Sequence, residues 1–356
     1  MTRDSEHGGL VVVTRKIPGA GLEVLSRAGV AVEICQERED AGLAREELLA
    51  AVRRADVLLC QLTEPVDRGV LEANPRLLGV AQMAVGYDNV DLEAAGELGI
   101  PVTNTPGVLT DTTADLTWAL LLAVARRIPE AQRYLLAGKY ELWGPNLLLG
   151  HDVSPGGSGR RKVLGLVGYG RIGRAVARRA VGFEMDVLAF DPFAREAIEA
   201  DEVAAWADLP ELLERSDFVS LHPALSEATH HLIGEAELRA MKPTACLVNA
   251  SRGPVIDEAA LVRALREGWI AGAGLDVYEK EPALAPGLAE LAAEGKAVLL
   301  PHVGSASRDT RAKMATLAAE GALAHLSRER ARHCVNPEVY ETKAYARRLG
   351  RRPEGA

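Results

Sequence analysis

Residues 162–178, KVLGLVGYGRIGRAVAR, constrain the fold more than any other stretch of the chain. An apolar run, residues 163–167, passes directly into Gly168-x-Gly170-x-x-Gly173. Ile172, Ala175, Val176 and Ala180 then recur at helical spacing. Strand, tight turn and helix start, in that order, form a cradle for the pyrophosphate of a dinucleotide. Gly168 permits the turn, Gly170 lets the backbone approach the phosphates, and Gly173 lets helix pack on strand. Free N–H groups at the helix start face the anion. In a chain with 34 glycines the pattern alone is as consistent with coincidence as with binding, so its surroundings have to decide. A second apolar run, residues 187–190, ends in Asp191, 18 residues after Gly173. An acid at the end of the second strand accepts hydrogen bonds from the adenosine ribose hydroxyls. The bland alternative is a solvated turn aspartate before Pro192. If Asp191 does face the ribose, a 2′-phosphate is repelled. One like-charge contact at about 4 Å, with an effective dielectric near 20, costs roughly 4 kcal/mol, or about a thousandfold. NAD is therefore expected over NADP.

The motif sits near the middle of 356 residues, which asks what the first 160 or so are for. That length suits two domains. A net charge of -9 argues against nucleic acid as a partner. The four cysteines (Cys35, Cys60, Cys246 and Cys334) are far apart and lack metal-ligand spacing, so no metal is expected. They read as buried thiols of a reducing compartment. The first nine residues are polar and charged, unlike a signal peptide, and the apolar stretch at 119–125 is too short to span a bilayer. A cytoplasmic protein with no membrane partner is expected.

Strand patterns at 10–14, 30–34, 57–60, 77–81 and 102–104 alternate with helical ones at 21–28, 46–54 and 91–98. Such alternation implies a parallel sheet covered by helices on both faces. A strong helix pattern follows at 112–127, with Thr110 or Asp111 as its expected cap. Residues 134–150 read as irregular and 154–159, SPGGSG, as a flexible loop. Further strand patterns follow the glycine turn at 218–221, 245–249, 272–276 and 298–300, and a last helix at 309–326. A first domain split by an inserted nucleotide domain accounts for the central motif. The expected boundaries are 1–107 plus 305–335 for the substrate domain and 108–304 for the nucleotide domain. Residues 336–356 are charged, weakly patterned and expected to be at best partly ordered.

Three segments that follow strand patterns carry candidate chemistry. In LVNASRGPVID, Arg252 could hold a carboxylate through two parallel hydrogen bonds, or pair with a structural acid. In AGAGLDVYEKEP, Asp276 ends a strand and Glu281 follows. In VLLPHVGS, His302 follows a strand and a proline. A lone histidine is more often structural. One held by a carboxylate can deliver a proton near neutral pH.

These residues carry a resemblance. The blocks VGYDNVDLEAAGELGIPVTNTPGVLTDTTA, LGLVGYGRIG, VNASRGPVIDEAALVRAL, AGLDVYEKEP and LPHVGSAS resemble the D-isomer-specific 2-hydroxyacid dehydrogenase family over about residues 10–326. The resemblance implies an α/β architecture of two doubly wound parallel-sheet domains, a Rossmann nucleotide domain inserted into a flavodoxin-like substrate domain. It places the family's catalytic residues on Arg252, Glu281 and His302. Its cofactor contacts fall on Arg171, Ile172, Asp191, Ala250, Ser251, Asp276, Val303, Gly304 and Ser305, besides Gly168, Gly170 and Gly173. Backbone N–H groups of Val85 and Gly86 match its substrate-carboxylate loop. Within the family the chain is most similar to glyoxylate/hydroxypyruvate reductases and glycerate dehydrogenases, through VLTDTTADLTWALLLAVARRIPEA and AGKYELWGPNLLLG. In that branch a Trp at the position of Trp143 reaches across a homodimer into the partner's active site; anchoring of its own loop is the alternative role.

The resemblance implies hydride transfer between NAD(H) and a small 2-oxo or D-2-hydroxy acid, glyoxylate or hydroxypyruvate in particular. Many reductases of this branch prefer NADPH and lack an acid at the Asp191 position, so Asp191 favours NADH. His222-Pro223-Ala224-Leu225 departs from the usual His-Cys/Thr-Pro-Leu and puts a cofactor-side contact in doubt. The loop at 154–159 is longer than usual, and Val85 stands where phosphonate dehydrogenases carry Lys. Two alternatives remain on the sequence: a D-3-phosphoglycerate dehydrogenase, or a non-catalytic NAD(H) sensor like the C-terminal-binding-protein corepressors.

Overall fold

The computed structural model describes residues 9–38 and 40–350. It forms two compact units, Met1–Leu109 with Ala306–Ala356 and Thr110–Ser305. The first unit is built on five strands: β1 (Leu10–Val13), β2 (Ala31–Ile34), β3 (Val57–Cys60), β4 (Gly79–Gln82) and β5 (Val102–Thr103). They pair in parallel in the order β2-β1-β3-β4-β5, the flavodoxin-like order. Side chains alternate between faces. Val12, Leu58 and Val80 enter one apolar core, while Val11, Val13, Leu59 and Ala81 enter the other. Both faces of the central strands β1, β3 and β4 are therefore buried, which is why β1 and β3 read as unbroken apolar runs, whereas the edge strand β2 is partly exposed.

The second unit holds β6 (Val163–Val167), β7 (Asp186–Phe190), β8 (Ala204–Trp206), β9 (Phe218–Leu221), β10 (Cys246–Asn249), β11 (Gly272–Leu275) and β12 (Ala297–Leu299). All pair in parallel, in the order β12-β11-β10-β9-β6-β7-β8. The strand order reverses between β6 and β9, the switch point where doubly wound sheets open a crevice at their carboxyl ends. Leu164, Leu166 and Val248 pack into one core with Trp118 and Leu121 of the Thr110–Ala125 helix. Val219, Leu247 and Leu275 pack into the other.

Three expectations are corrected. The Thr110–Ala125 helix begins at Thr110, so neither Thr110 nor Asp111 stands outside it as a cap. Residues expected to be irregular from Tyr134 onward open inside a helix, Ile128–Leu136, entered through Arg127 in the left-handed region (φ 54°) with Pro129 in its first turn. The described part of the expected loose tail is packed. Pro337–Glu341 is a 3-10 turn and Lys343–Arg348 a helix. The half-buried Arg348 guanidinium donates to the carbonyls of Pro75, Leu77 and Leu98. Upstream, Cys334 bridges Thr103 antiparallel, and Val335 N–H donates to the Val102 carbonyl at 2.8 Å. Composition hid this because the segment forms no core of its own; it completes the edge of a sheet made some 230 residues earlier.

Candidate active site

Trp143 apart, the candidate residues of the second unit lie at the carboxyl end of its sheet. The glycine turn joins β6 to the Arg171–Ala180 helix, whose N-cap is Gly170. Gly168 has φ 94°, and a Cβ there would lie 2.6 Å from the His222 carbonyl carbon. A Cβ on Gly173 would lie 2.3 Å from the Gly168 carbonyl oxygen. Neither position admits a side chain. Gly170 differs: a Cβ would meet nothing within 4 Å. Its bare backbone borders open space at a helix N-terminus, which fits a pyrophosphate cradle. The displaced Pro223 is accommodated here, its nitrogen packed 2.7 Å from where a Gly168 Cβ would be. Asp191 follows β7, and its two oxygens accept the backbone N–H groups of Tyr169 (2.9 Å) and Phe193 (3.0 Å). The carboxylate is thus locked at the strand end beside the glycine turn.

Arg252, Glu281 and His302 follow β10, β11 and β12, three neighbouring strands. The turn at 250–252 is shaped by Asn249, fully buried, which accepts from Ser251 N–H at 3.0 Å and donates to the Arg252 carbonyl at 2.9 Å. Gly253 lets this turn touch the loop that carries Glu281; any Cβ would fall 1.9 Å from the Tyr278 carbonyl. Glu281 Oε1 accepts the Tyr278 N–H at 3.0 Å, and its Oε2 meets His302 Nδ1 at 2.9 Å. Burial alone would raise the Glu281 carboxyl. The His302 hydrogen bond and charge, the Tyr278 N–H and the Arg252 guanidinium together hold it below the usual carboxylate range. The dyad remains open to a small molecule, with 26% and 31% of the two side chains exposed.

His302 itself has φ 53°, a rare left-handed geometry for a histidine. Asp276 over-determines it. The Asp276 carbonyl accepts the His302 N–H (2.8 Å), and its carboxylate accepts the N–H groups of Val303 and Gly304, both at 2.7 Å. Asp276, matched by resemblance to a cofactor contact, is 1% exposed and engages this turn with both oxygens. Sequence reasoning missed that role, and it also missed the support of the neighbouring loop. Glu279 N–H donates to Glu258, and Glu279 Oε1 pairs with the His231 ring at 2.8 Å. No spacing rule joins residues 231, 258 and 279.

Val85 and Gly86 lie in the other unit, just beyond β4, and neither is fully exposed. Neither of their N–H groups has a hydrogen-bond partner among the described residues. Trp143 joins neither group of residues. It lies between Leu136 and Gly150 with 70% of its surface exposed.

A sequence model of the "D-isomer specific 2-hydroxyacid dehydrogenase, NAD binding domain" matches residues 118–304. A glyoxylate reductase of Korarchaeum cryptofilum is 49% identical over 334 residues, 94% of this chain and 97% of that protein. The chain belongs to the D-isomer specific 2-hydroxyacid dehydrogenase family. It is an oxidoreductase of 2-oxo and 2-hydroxy acids that uses a nicotinamide cofactor. A crystal structure from Thermus thermophilus superposes with a TM-score of 0.83 at 44% identity, covering 92% of this dehydrogenase and 99% of that chain. An NADPH-dependent glyoxylate/hydroxypyruvate reductase of Sinorhizobium meliloti, in complex with NADP and malonate, superposes with a TM-score of 0.77 at 31% identity, covering 92% and 97%. Among the described residues, no helix of the dehydrogenase is long and apolar enough to cross a membrane.

Proposed function

We propose that this dehydrogenase reduces glyoxylate or hydroxypyruvate to glycolate or D-glycerate, with NADH preferred to NADPH. The observation that carries the reading is the His302 Nδ1–Glu281 Oε2 contact at 2.9 Å beside Arg252. The Val85 and Gly86 N–H groups and the Arg252 guanidinium hold the substrate carboxylate. Arg252 also stabilises the negative charge that grows on the C2 oxygen. The bound nicotinamide supplies the hydride to C2. His302 gives the proton from Nε2 to the resulting alkoxide, and Glu281 on Nδ1 fixes the ring and steadies its protonated form. One hydride and one proton convert the ketone or aldehyde to the alcohol. Gly168, Gly170, Arg171, Ile172 and Gly173 would hold the pyrophosphate of the cofactor, and Ala250, Ser251 and Val303 to Ser305 would border its nicotinamide.

The NADH preference is supported by Asp191, whose carboxylate is tied to two backbone N–H groups and cannot swing away from a 2′-phosphate without leaving both unpaired. A homodimer, with Trp143 reaching the partner's site, is supported by the apolar side chains left exposed between residues 128 and 149, among them Leu136 (77%), Leu142 (83%) and Trp143. The domain roles follow: the unit of Thr110–Ser305 binds the cofactor and the other unit contributes the carboxylate loop.

Steady-state assays of a 2-oxo-acid panel with NADH and NADPH test the reading. The highest kcat/KM is expected for glyoxylate or hydroxypyruvate with NADH. Faster turnover of 3-phosphohydroxypyruvate would replace the substrate assignment, and NADH binding without turnover of any 2-oxo acid would make the protein a sensor.

A further inference from the structure

The proposed carboxylate loop offers two backbone N–H groups, and a backbone donor is only as well aimed as its peptide plane. In a planar trans peptide the N–H points opposite to the C=O that shares the plane. The plane carrying the Val85 N–H ends in the Ala84 carbonyl, which accepts the Thr105 N–H at 2.9 Å. The plane carrying the Gly86 N–H ends in the Val85 carbonyl, which accepts Asn104 Nδ2 at 2.8 Å. Both carbonyls are drawn toward one stretch of chain, Asn104 and Thr105 at the end of β5. Both N–H groups are therefore turned to the opposite side, where they have no partner among the described residues. The Gly86 carbonyl, one plane further on, accepts Gln82 Nε2 at 3.3 Å.

The clamp is itself held. Asn104 is 9% exposed, and its N–H donates to the His333 carbonyl at 3.2 Å. Asn336 accepts the Val102 N–H (2.9 Å) and donates to the Ile100 carbonyl (3.0 Å). The C-terminal segment thus fixes β5, β5 presents Asn104 and Thr105, and these two set the loop.

We propose that Asn104 is a positioning residue for substrate. Its side-chain amide, with the Thr105 N–H, orients the Val85 and Gly86 peptides so that their N–H groups converge on the carboxylate of a 2-oxo acid. The proposal rests on the reading that those N–H groups bind that carboxylate. Without the clamp the Val85–Gly86 peptide can rotate, and a charge-assisted hydrogen bond to the substrate is lost from ground state and transition state alike. KM then rises while kcat does not.

Two variants test this. Asn104→Asp keeps the shape but sets a carboxylate oxygen against the Val85 carbonyl, and Asn104→Ser withdraws the donor. In the wild-type holoenzyme with NAD bound, the amide resonances of Val85 and Gly86 should move on addition of oxalate, a glyoxylate analogue. In both variants the KM for glyoxylate and for hydroxypyruvate should rise roughly ten- to a hundredfold. In both, kcat should stay within about threefold, and NADH affinity should not change. Unchanged KM values in both variants, with the wild-type amides responding to oxalate, would overturn the clamp and leave the carboxylate reading standing. So would kcat, KM and NADH affinity failing together, since that marks general damage rather than aim. Wild-type amides that ignore oxalate would remove the carboxylate reading and the clamp with it.

Discussion

The two units are built from the same device, a parallel sheet wound on both faces, yet they present chemistry differently. In the unit of Thr110–Ser305 the strand ends carry side chains: Asp191, Arg252, Asp276, Glu281 and His302. In the other, the corresponding place beyond β4 carries bare peptide groups at Val85 and Gly86, aimed by Asn104 and Thr105. A side chain brings its own chemistry and needs neighbours to tune it, as Glu281 tunes His302. A peptide N–H has the same chemistry everywhere, so function there depends wholly on direction. The first kind of site leaves a residue type in the sequence, whereas the second leaves almost nothing.

The sharpest way to break this contrast is at the side-chain site. His302→Ala should lower kcat by about 10²–10⁴ if the ring delivers the proton; near-normal turnover in single-turnover assays would dismiss it. Asp191→Ala should raise the NADPH-to-NADH ratio of kcat/KM by up to about a thousandfold. An unchanged ratio would mean that the carboxylate only shapes its own turn.

The units also share a liability, which tests whether they are equivalent in stability. Each holds a histidine whose Nδ1 is buried and has no hydrogen-bond partner among the described residues, His222 in one and His325 in the other. Burial pushes both rings from the ordinary 6.5 down to about 4. A folded value below the unfolded one means that stability is full above about pH 6.5. It is lost as pH falls toward 4, because the unfolded chain takes up protons that the folded one refuses. Each histidine should cost on the order of 3 kcal/mol across that window. Urea unfolding at pH 7.5, 6, 5 and 4.5 reads the slope, and His222→Phe and His325→Phe should each flatten it. If neither changes the slope, the acid sensitivity lies elsewhere.

The smallest expected effect sharpens the dyad. Glu281→Gln keeps the shape of the ring's partner but removes its charge. Turnover of glyoxylate should then fall by roughly tenfold, less than in His302→Ala. Unchanged turnover would take Glu281 out of the proton path.

How much was legible beforehand depended on what kind of signal each part leaves. β3 and the Leu10, Val57 and Phe218 strand starts were readable because strands buried on both faces are continuous apolar runs bounded by turn residues. Gly168 and Gly173 were readable because their lack of a Cβ is enforced by contacts under 3 Å. The Ile128–Leu136 helix was partly missed because it is short and its apolar residues, Ile128, Leu135 and Leu136, are exposed and not packed on a core. The tail was misjudged for a related reason. Asn336 and Arg348 act through backbone carbonyls of residues 100, 75, 77 and 98, and such partners have no sequence signature.

The sequence by itself determined two doubly wound sheets, a dinucleotide cradle between residues 168 and 173, and the family to which Arg252, Glu281 and His302 belong. These are properties of local pattern, where periodicity, glycine geometry and residue type act over a few neighbours. Tertiary structure alone decided that His302 meets Glu281 through Nδ1, that Asp276 grips the His302 turn, and that Asn104 and Thr105 each hold one carbonyl of the Val85–Gly86 loop. Each of these depends on the direction of a hydrogen bond between strands far apart in the chain. Direction is set by sheet register and peptide planes, which no string of residues displays until it is folded.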